Sequence, residues 1–387
     1  MEKNITKLLY KLCSSVVPFS EIGAIAEVGT GSSNGNEADE NGEYPFFVRS
    51  QTVKAKNHYE YDEEAIIIPG EGGIGDIFHY VNGKYALHQR VYRIHFTSPL
   101  VDVRFAYYYM SANFKAFIMR KAVSATVTSI RKPMIEQFRI PIPPLAVQQE
   151  IVRILDSFTE LTAELTAELT ARRKQYEHYR DELLTFGDDV PMVPLGEICN
   201  VQAGGTPSKK EKQYWTDGTI KWLGSTVCQN QKTVDSVTDY ITELGLEKSS
   251  ARIMPKDATL IALVGATIGK VAFLPFEAAI NQNIAGVYPK HPDKVNPSYV
   301  YYACTMLYPE FIGISQGKLA LANLSFVRGL KIPLPSIEVQ EHTAAILDRF
   351  DAICNDLTSG LPAEITARQK QYEYYRDKLL TFKELAV

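Results

Sequence analysis

The sequence predicts an α+β protein in which two small domains in tandem repeat are separated by two long antiparallel coiled-coil helices. Three observations predict it: a segment near the middle of the chain recurs near its end, apolar residues in that segment recur at helical spacing, and short β-branched and aromatic runs fill the remainder. A chain of 387 residues is long enough for two or three domains with buried cores. We predict a first domain over residues 1–147, a central helix over 148–186, a second domain over 187–339 and a C-terminal helix over 340–387.

The repeat consists of three matched blocks. The segment Ile140–Gln148 (IPIPPLAVQ) is echoed by Ile332–Gln340 (IPLPSIEVQ), and the 17 residues of Thr170–Phe186 recur in Thr366–Phe382 with 14 identities. A weaker echo opens each half, VPFSEI from Val17 against VPLGEI from Val193. The order of the chain is therefore domain, helix, domain, helix.

The apolar residues of the two helical segments alternate at steps of four and three, which is the spacing of a coiled-coil seam. A helix of 39 residues is about 58 Å long, which exceeds the need of a compact domain and suits a rigid spacer. A pair of amphipathic helices packed as an ordinary core is the alternative. The segment Ser359–Pro362 predicts an interruption, because proline removes a backbone donor. The predicted seam residues are Ile151, Leu155, Phe158, Leu165, Leu169, Tyr176, Tyr179, Leu183, Phe186, Leu347, Phe350, Leu357, Tyr372, Tyr375, Leu379 and Phe382.

The remaining segments read as short strands and a few helices. Runs rich in β-branched and aromatic residues predict strands over Ala65–Ile68, Asp76–Val81 and Arg90–Ile94. Helical patterns are confined to Val103–Met119 and Tyr299–Ile314. Each half is therefore a small α+β domain.

The second half carries a series of motifs in a fixed order. They are Gly204–Ser208, Tyr214-Trp215, Gly218, Ile220, Trp222, Gly265–Lys270, Asn281–Asn283 and Ile332–Pro335 ahead of Val339-Gln340. The first half shares the closing Pro/Gln segment, the turn at Gly75, and His88-Gln89 where the second half has Asn281-Gln282, but it has Gly29–Ser33 in place of the Gly-Gly-Thr-Pro-Ser opening. Taken in order, these motifs resemble the target-recognition domain of the specificity subunits of type I restriction-modification systems, and the likeness covers essentially the whole chain.

The resemblance implies a non-catalytic subunit that recognises a bipartite double-stranded DNA target, one half per domain. It also implies docking of two adenine methyltransferase subunits and association with restriction/translocase subunits. S-adenosylmethionine, ATP and magnesium would be used by those other subunits, and no cofactor or metal is expected on this chain. Because no apolar run approaches a membrane span and the start is polar, we expect a cytoplasmic protein.

Residues that contact DNA are expected in loops, where amides, hydroxyls and basic groups can reach phosphates or base edges. Solvated loop positions are the alternative for each. His88-Gln89 and Asn281-Gln282, shared by domains that should read different sequences, are expected to be structural, and most of the helix tyrosines are expected to pack across the rod. The DNA-contact candidates are Ser32, Ser33, Asn34, Arg49, Lys54, Lys56, Asn57, Arg131 and Lys132 in the first half, and Thr206, Ser208, Lys209, Lys210, Lys221, Gln229, Asn230, Gln231 and Lys232 in the second.

Charge gives the DNA reading no support over the whole chain, because the net charge is −4 and the sequence pI about 6.0. The acidic excess lies on the helical segments: Lys+Arg against Asp+Glu is 5 to 8 over 140–186 and 7 to 9 over 331–387, but 16 to 15 over 1–139 and 13 to 13 over 187–330. A coiled-coil scaffold that does not read DNA is therefore the main alternative.

Several motifs that suggest catalysis or nucleotide binding have plainer interpretations. Gly70–Gly75 precedes a strand pattern where a dinucleotide site needs a helix, and Gly265–Lys270 has the wrong spacing for a phosphate loop and fits a hairpin turn. Asn296–Tyr299 is similar to a methyltransferase motif, but the matching position reads Asp102–Phe105, so both are expected to be helix N-caps. An autonomous methyltransferase is thus disfavoured. The five cysteines, widely spaced, predict no disulfide framework and no zinc site, and no catalytic residue can be nominated.

Overall fold

The computed structural model describes residues 16–121, 129–234, 236–314, 321–356 and 359–385. Its contacts divide the chain into two compact units, unit 1 within residues 1–164 and 366–387, and unit 2 within 165–365. Each unit combines one globular half with part of both helical segments. The sequence predicts the order domain, helix, domain, helix, and this order does not show that each helical segment contributes to both units.

Eleven helices can be assigned in the described ranges. The first four are α1 Ile22–Ile25, α2 Val103–Lys121, α3 Lys132–Glu136 and α4 Leu145–Leu183; the others are α5 Leu195–Ile198, α6 Glu243–Glu247, α7 Pro297–Thr305, α8 Tyr308–Ile314, α9 Leu324–Gly329, α10 Ile337–Asn355 and α11 Leu361–Leu379.

Twenty short strands accompany them over the same ranges. Those of the first half are β1 Val16–Val17, β2 Phe19–Glu21, β3 Ala26–Thr30, β4 Tyr44–Phe47, β5 Lys54–Lys56, β6 Tyr61–Pro69, β7 His79–Leu87, β8 Val91–Phe96 and β9 Arg139–Pro141. Those that follow are β10 Met192–Pro194, β11 Cys199–Ala203, β12 Ile220–Leu223, β13 Asp239–Ile241, β14 Arg252–Met254, β15 Thr259–Ala262, β16 Val271–Phe273, β17 Ala278–Ile280, β18 Ile284–Pro289, β19 Lys331–Pro333 and β20 Lys383–Glu384.

Unit 1 is built on a six-stranded sheet with the order β3-β8-β6-β7-β4-β5, in which only the β4–β7 pair is parallel. The predicted run Ala65–Ile68 lies wholly buried in β6, the sheet's long central strand. Helix α2 packs Met110 and Phe114 against one face of this sheet. The strand predicted from Asp76 begins only at His79, because the glycine-rich turn before it continues through a hydrogen bond from Asp76 N–H to Gly73.

Unit 2 repeats this topology but splits the sheet in two, with strand orders β11-β18-β15-β16 and β13-β12-β17-β14. Where unit 1 has the single strand β7, which pairs with β6 and then with β4, unit 2 has β16 paired with β15 and β17 paired with β12. Pro275 lies between β16 and β17 and cannot donate a ladder hydrogen bond. The break in the sheet thus has a local cause.

The two long helical segments are present, and the interruption predicted at Ser359–Pro362 is confirmed, because α10 ends at Asn355 and α11 begins at Leu361. Ring pairs join Phe158 to Tyr375 (5.6 Å between centroids) in unit 1 and Tyr179 to Phe350 (5.4 Å) in unit 2. Partner numbers fall as the α4 numbers rise, which is the antiparallel order that the sequence predicts.

The predicted seam residues differ in burial along α4. Ile151, Leu155 and Phe158 are buried in unit 1, in a cluster to which Tyr372, Tyr375, Leu379 and Phe382 contribute. In unit 2, Leu347 is buried and Tyr176, Leu183 and Phe186 pack against its core, whereas Leu165 and Leu169 are only half-buried. Leu357 lies outside the described residues. Within the described ranges, no helix is both long and apolar enough to cross a membrane.

A buried glutamine fastens each globular half to its helix. The side-chain oxygen of Gln148 accepts from the Asp102 N–H (2.8 Å), and its amide donates to the carbonyls of Leu100 (2.8 Å) and Pro143 (2.7 Å). Gln340 repeats this with Asn296 N–H (2.9 Å), Lys294 (3.3 Å) and Pro335 (2.8 Å). Both glutamines close the repeated Pro/Gln segment, and both are fully desolvated, so each must satisfy its hydrogen bonds internally.

The N-caps predicted at Asp102 and Asn296 are confirmed. The Asp102 carboxylate accepts from the Phe105 N–H (2.9 Å) at the start of α2, and the Asn296 side chain accepts from the Tyr299 N–H (3.0 Å) in α7. The hairpin predicted at Gly265–Lys270 is also confirmed, since this segment joins the antiparallel strands β15 and β16.

Candidate nucleic-acid interface

Four segments meet at one edge of the sheet of unit 1, and we call them the unit 1 loop edge: residues 31–34, 48–50, 70–72 and 88–90. Backbone hydrogen bonds tie them together, from Ser33 N–H to Leu87 (3.3 Å), from His88 N–H to Phe47 (3.0 Å) and from Gly70 N–H to Arg90 (2.9 Å). The edge is thus assembled from strand ends that are far apart in sequence.

The unit 2 loop edge is formed in the same way by residues 204–206, 224–226, 263–265 and 281–283. Its hydrogen bonds run from Gly205 N–H to Ile280 (3.0 Å), from Asn281 N–H to Leu223 (3.1 Å) and from Leu263 N–H to Asn283 (2.9 Å). Each has a counterpart in unit 1. The two edges therefore share one backbone plan.

Gly31 and Gly204 occupy equivalent places where only glycine fits. A Cβ added to Gly31 would lie 1.8 Å from the carbonyl oxygen of Leu87, and one added to Gly204 would lie 1.8 Å from that of Ile280. These two carbonyls end β7 and β17, the strands that pair with β4 and β12. Despite its different sequence, the opening loop of the first half therefore makes the same close approach as the Gly-Gly-Thr-Pro-Ser loop.

The shared pairs His88-Gln89 and Asn281-Gln282 stabilise the loop edges internally. His88 Nδ1 accepts from the Arg90 N–H (3.0 Å), and Asn281 Oδ1 accepts from the Asn283 N–H (2.9 Å). Gln89 donates to Asn34 Oδ1 (2.8 Å), while Gln282 accepts from Thr206 Oγ1 (2.7 Å). These bonds support the structural role predicted for both pairs.

In unit 1, the candidates of the opening loop are engaged with acidic side chains. Ser32 donates to Glu60 through its N–H (3.0 Å) and its hydroxyl (3.2 Å), and Ser33 donates to the same carboxylate. Lys56 donates to Ser33 and pairs with Glu37 at 2.7 Å, with only 13% of its side chain exposed. The Asn34 N–H, followed by Lys56, lowers the pKa of Glu37. This network fixes the shape of the loop.

The other candidates of unit 1 are more exposed. Lys54 and Arg49 line an open cleft of about 520 Å³ at the loop edge. Asn57 donates to Asp39 (2.6 Å), Lys132 pairs with Glu136 (3.6 Å), and Arg131 is exposed at the residue before α3.

Sequence reasoning missed Glu71 and Arg90 at this cleft. Arg90 Nη1 donates to Glu71 Oε2 at 2.8 Å, and Arg49 Nη1 donates to the same oxygen at 3.1 Å. The hydrogen bond from Arg90, supported by both arginine charges, lowers the pKa of Glu71. The sequence signal for this position is the acidic residue of Gly70–Gly75, which lies next to a turn that both halves share.

In unit 2, the opening loop is held by two tryptophans. Trp222 Nε1 donates to the carbonyl of Gly205 (3.0 Å) and Trp215 Nε1 to that of Ser208 (3.2 Å). The Lys209 ammonium lies 5.8 Å from the centre of the Trp215 ring, and Lys210 is exposed. Of this group Thr206 lies on the loop edge itself, bound to Gln282.

The remaining candidates of unit 2 lie along β12 and beside β16. Lys221 lies over the ring of Phe276 at 3.9 Å. Asn230 holds β16 through its side chain, which accepts from the Val271 N–H (2.9 Å), and Gln231 forms a bridge to Ala272. Gln229 is exposed and accepts from Lys270 (3.3 Å).

Lys232 has a different environment from its neighbours. Its side chain is 14% exposed; it forms an ion pair with Asp348 of α10 and lies 5.0 Å from the ring of Tyr302. Tyr302 donates to the same carboxylate (2.7 Å), and burial, followed by this hydrogen bond, raises the pKa of Tyr302. The geometry favours a packing role for Lys232 over contact with DNA bases.

The described residues contain no group of three or more His, Cys, Asp and Glu side chains placed to hold a metal ion. Cys199, Cys228, Cys304 and Cys354 are buried free thiols, and burial raises the pKa of Cys199 and Cys228 to about 12. Cys13 lies outside the described residues. What the arrangement presents is a pair of matched surface edges.

The described residues thus form two α+β units whose loop edges share one backbone plan. The chain belongs to the family of type I restriction modification DNA specificity domains, whose sequence model matches residues 15–172 and 187–367.

Individual relatives agree with this assignment. The chain is 41% identical over 260 residues to the specificity subunit of a type I restriction enzyme of Escherichia coli, an alignment that spans 64% of each chain. It is 30% identical over 366 residues, or 88% of its length and 89% of the relative's, to a protein assigned as a type I restriction enzyme specificity subunit of Haemophilus influenzae.

Solved structures share the fold at low sequence identity. The S subunit of a type I restriction-modification system of M. genitalium superposes with a TM-score of 0.64 at 16% identity, covering 96% of this chain and 97% of that one. A chain from a study of complex assembly and conformational transition in the type I system gives 0.57 at 14% identity, covering 95% and 99%.

Proposed function

We propose that this chain acts as the sequence-specificity subunit of a type I restriction-modification complex, with each unit reading one half of a bipartite double-stranded DNA target. One observation carries this: the two loop edges share a backbone plan but present different side chains. Two readers on one scaffold need such an arrangement, because base edges are distinguished by side-chain donors and acceptors.

The acidic overall charge is compatible with this function. Phosphate contacts depend on local cations. In unit 1, Arg49 and Lys54 line the same cleft as Glu71, and the Glu71 carboxylate also binds Arg90. In unit 2 the exposed lysines 209 and 210 follow the opening loop. Each unit thus offers cations next to its loop edge.

The partners that we propose are two adenine methyltransferase subunits and the restriction/translocase subunits. Those subunits would use S-adenosylmethionine, ATP and magnesium, and this chain would contribute selection without bond chemistry. The cytoplasm is the compartment in which such a complex would meet DNA. The family membership and the relatives named as specificity subunits support these proposals.

A genome-wide map of adenine methylation tests the proposal. Cells expressing this chain with its cognate methyltransferase subunit should show a split motif that is absent with the methyltransferase alone. Replacing residues 187–330 by the corresponding segment of another family member should change one half of that motif and leave the other half intact. An assembled complex that creates no motif would favour the coiled-coil scaffold instead.

A further inference from the structure

The loop edges differ at three equivalent positions where the backbone around them is the same. Arg90 and Asn283 each follow the shared turn, and their carbonyls accept from Gly70 and Leu263. Glu71 follows Gly70 and Val264 follows Leu263, and both form isolated β-bridges, to residues 129 and 321 respectively. The carbonyls of Phe47 and Leu223 accept hydrogen bonds from the first residue of the shared turn in each unit. Arg49 and Ser225 each lie two residues after these carbonyls. Unit 1 therefore has Arg, Glu and Arg where unit 2 has Ser, Val and Asn.

The three charged residues form a compact exposed group. Both guanidiniums bind one oxygen of Glu71, with Arg49 48% and Arg90 56% exposed. A guanidinium carries five N–H donors, so one bond to Glu71 leaves the forked edge of each arginine available to an external acceptor. Lys54 lines the same cleft and adds positive charge. His88 also lines it, and burial together with the charges of the two arginines lowers its pKa.

The two halves of a DNA target offer the same phosphate backbone but different bases. Phosphate contacts carry no sequence information, so the two units could make them with the same residues. Base contacts must differ between the units. An exposed position at which the shared backbone presents different side chains is therefore where sequence is read.

We propose that Arg49 and Arg90, held in place by Glu71, are specificity-determining residues of unit 1 that bind the O6 and N7 acceptors of guanine in the major groove of its half-target. Arginine is the side chain that best matches this pair of acceptors. The inference rests on the proposed function and adds to it the class of base that unit 1 reads and the residues that read it.

The test is selection from a library of duplexes with 20 randomised base pairs, using the full chain assembled with its cognate methyltransferase subunit. The wild-type complex should select a split motif with guanine in one half. Arg49→Gln and Arg90→Gln should each lower the preference for one guanine position about 10- to 100-fold, the range of one bidentate contact, and leave the other half-target unchanged.

Arg49→Lys separates base reading from phosphate binding, because lysine keeps the charge but loses the planar fork. It should relax the same guanine position while the salt dependence of binding stays at the wild-type slope. Arg120→Gln, an exposed arginine on α2 of the same unit, is the control for loss of charge and should leave the motif intact.

The possible failures can be told apart. If the wild-type complex selects no motif, the proposed function falls, and this inference with it. If a wild-type motif appears and the Arg49 and Arg90 variants weaken binding to all sequences equally, or change nothing, the proposed function stands and the assignment of these arginines is overturned.

Discussion

In units 1 and 2, two side-chain interactions attach the globular domain to its long helix, and we call them the invariant device and the variable device. The invariant device is the buried glutamine, Gln148 or Gln340, which makes three hydrogen bonds to the backbone in each unit. The variable device is a carboxylate, Asp156 or Asp348. Asp156 binds Arg104 at 2.9 Å, whereas Asp348 pairs with Lys232.

The glutamine is the same in both units and the partner of the carboxylate is not, because the two side chains have different hydrogen-bonding requirements. Gln148 accepts one hydrogen bond and donates two to backbone groups at fixed places, so an apolar residue or a carboxylate at that position could not make all three. A carboxylate accepts from any cation that reaches it. Unit 1 supplies that cation from α2, one turn before Tyr108, and unit 2 supplies it from the loop that follows β12. The repeat thus keeps the glutamine that hydrogen-bonds to the backbone and varies the cation that pairs with the carboxylate.

The largest expected effect comes from the glycines that the two units share. Gly31→Ala and Gly204→Ala each place a Cβ 1.8 Å from a backbone carbonyl, and the strain should lower the stability of the affected unit by about 3 kcal/mol. Unfolding of the full chain, followed by hydrogen exchange to resolve the units, measures it. Gly329→Ala, whose Cβ would meet nothing within 4 Å, is the control. Equal tolerance of all three changes would refute the equivalence of Gly31 and Gly204.

The buried glutamines come next. Gln148→Leu leaves the Asp102 N–H and two carbonyls without their partner, and Gln340→Leu does the same in unit 2; each should cost about 2 kcal/mol. Thermal unfolding compares them with Gln149→Leu, in which the neighbouring exposed glutamine is changed. A destabilised Gln149→Leu variant, or an unaffected Gln340→Leu variant, would break the claim that this device is common to both units.

The variable device gives a smaller effect and separates two roles for Lys232. Lys232→Met should cost about 1 kcal/mol, since Asp348 is 43% exposed and solvent screens the pair, and the methylated motif should stay unchanged. Arg104→Met should behave alike in unit 1. A Lys232→Met variant with full stability and an altered motif would restore the original prediction that Lys232 contacts DNA.

The smallest effect concerns Asp351, for which the repeat has no matching acid. Burial raises the pKa of Asp351, although Asn355 and Lys232 oppose the shift and Asp348 and Asp356 add to it. The folded state therefore holds this proton more tightly than the unfolded chain, so stability falls as pH rises from about 3.8 through the raised pKa.

Asp351→Asn removes that cost. The variant should melt at a slightly higher temperature than the wild type at pH 7.5, and the gap should narrow as the pH falls through the raised pKa of Asp351. Melting curves of the two full-length proteins at both pH values provide the comparison. A gap that widens as pH falls would contradict the direction of the shift.

Much of this architecture could be predicted because it is encoded in local patterns. The periodicity of Ile151, Leu155 and Phe158 predicts a long helix, and Ser359–Pro362 predicts its counterpart's interruption. Asp102 and Asn296 mark helix starts, because a cap is made within a few residues of sequence. The family could be recognised from the order of the motifs, since motif order is itself a property of the sequence.

The candidate site was less predictable, because its residues meet through pairings that spacing does not encode. Arg49, Glu71 and Arg90 come together at the ends of β4, β6 and β7, and Lys232 finds Asp348 across 116 positions of sequence. The match between Gly31 and Gly204 likewise appears only once each is seen against a strand carbonyl. The repeat, the helices and the family can be predicted from the amino-acid sequence alone. Which polar side chains stabilise the scaffold and which face outward emerges in the folded chain, because it depends on long-range strand pairing and on the partner that each charge finds.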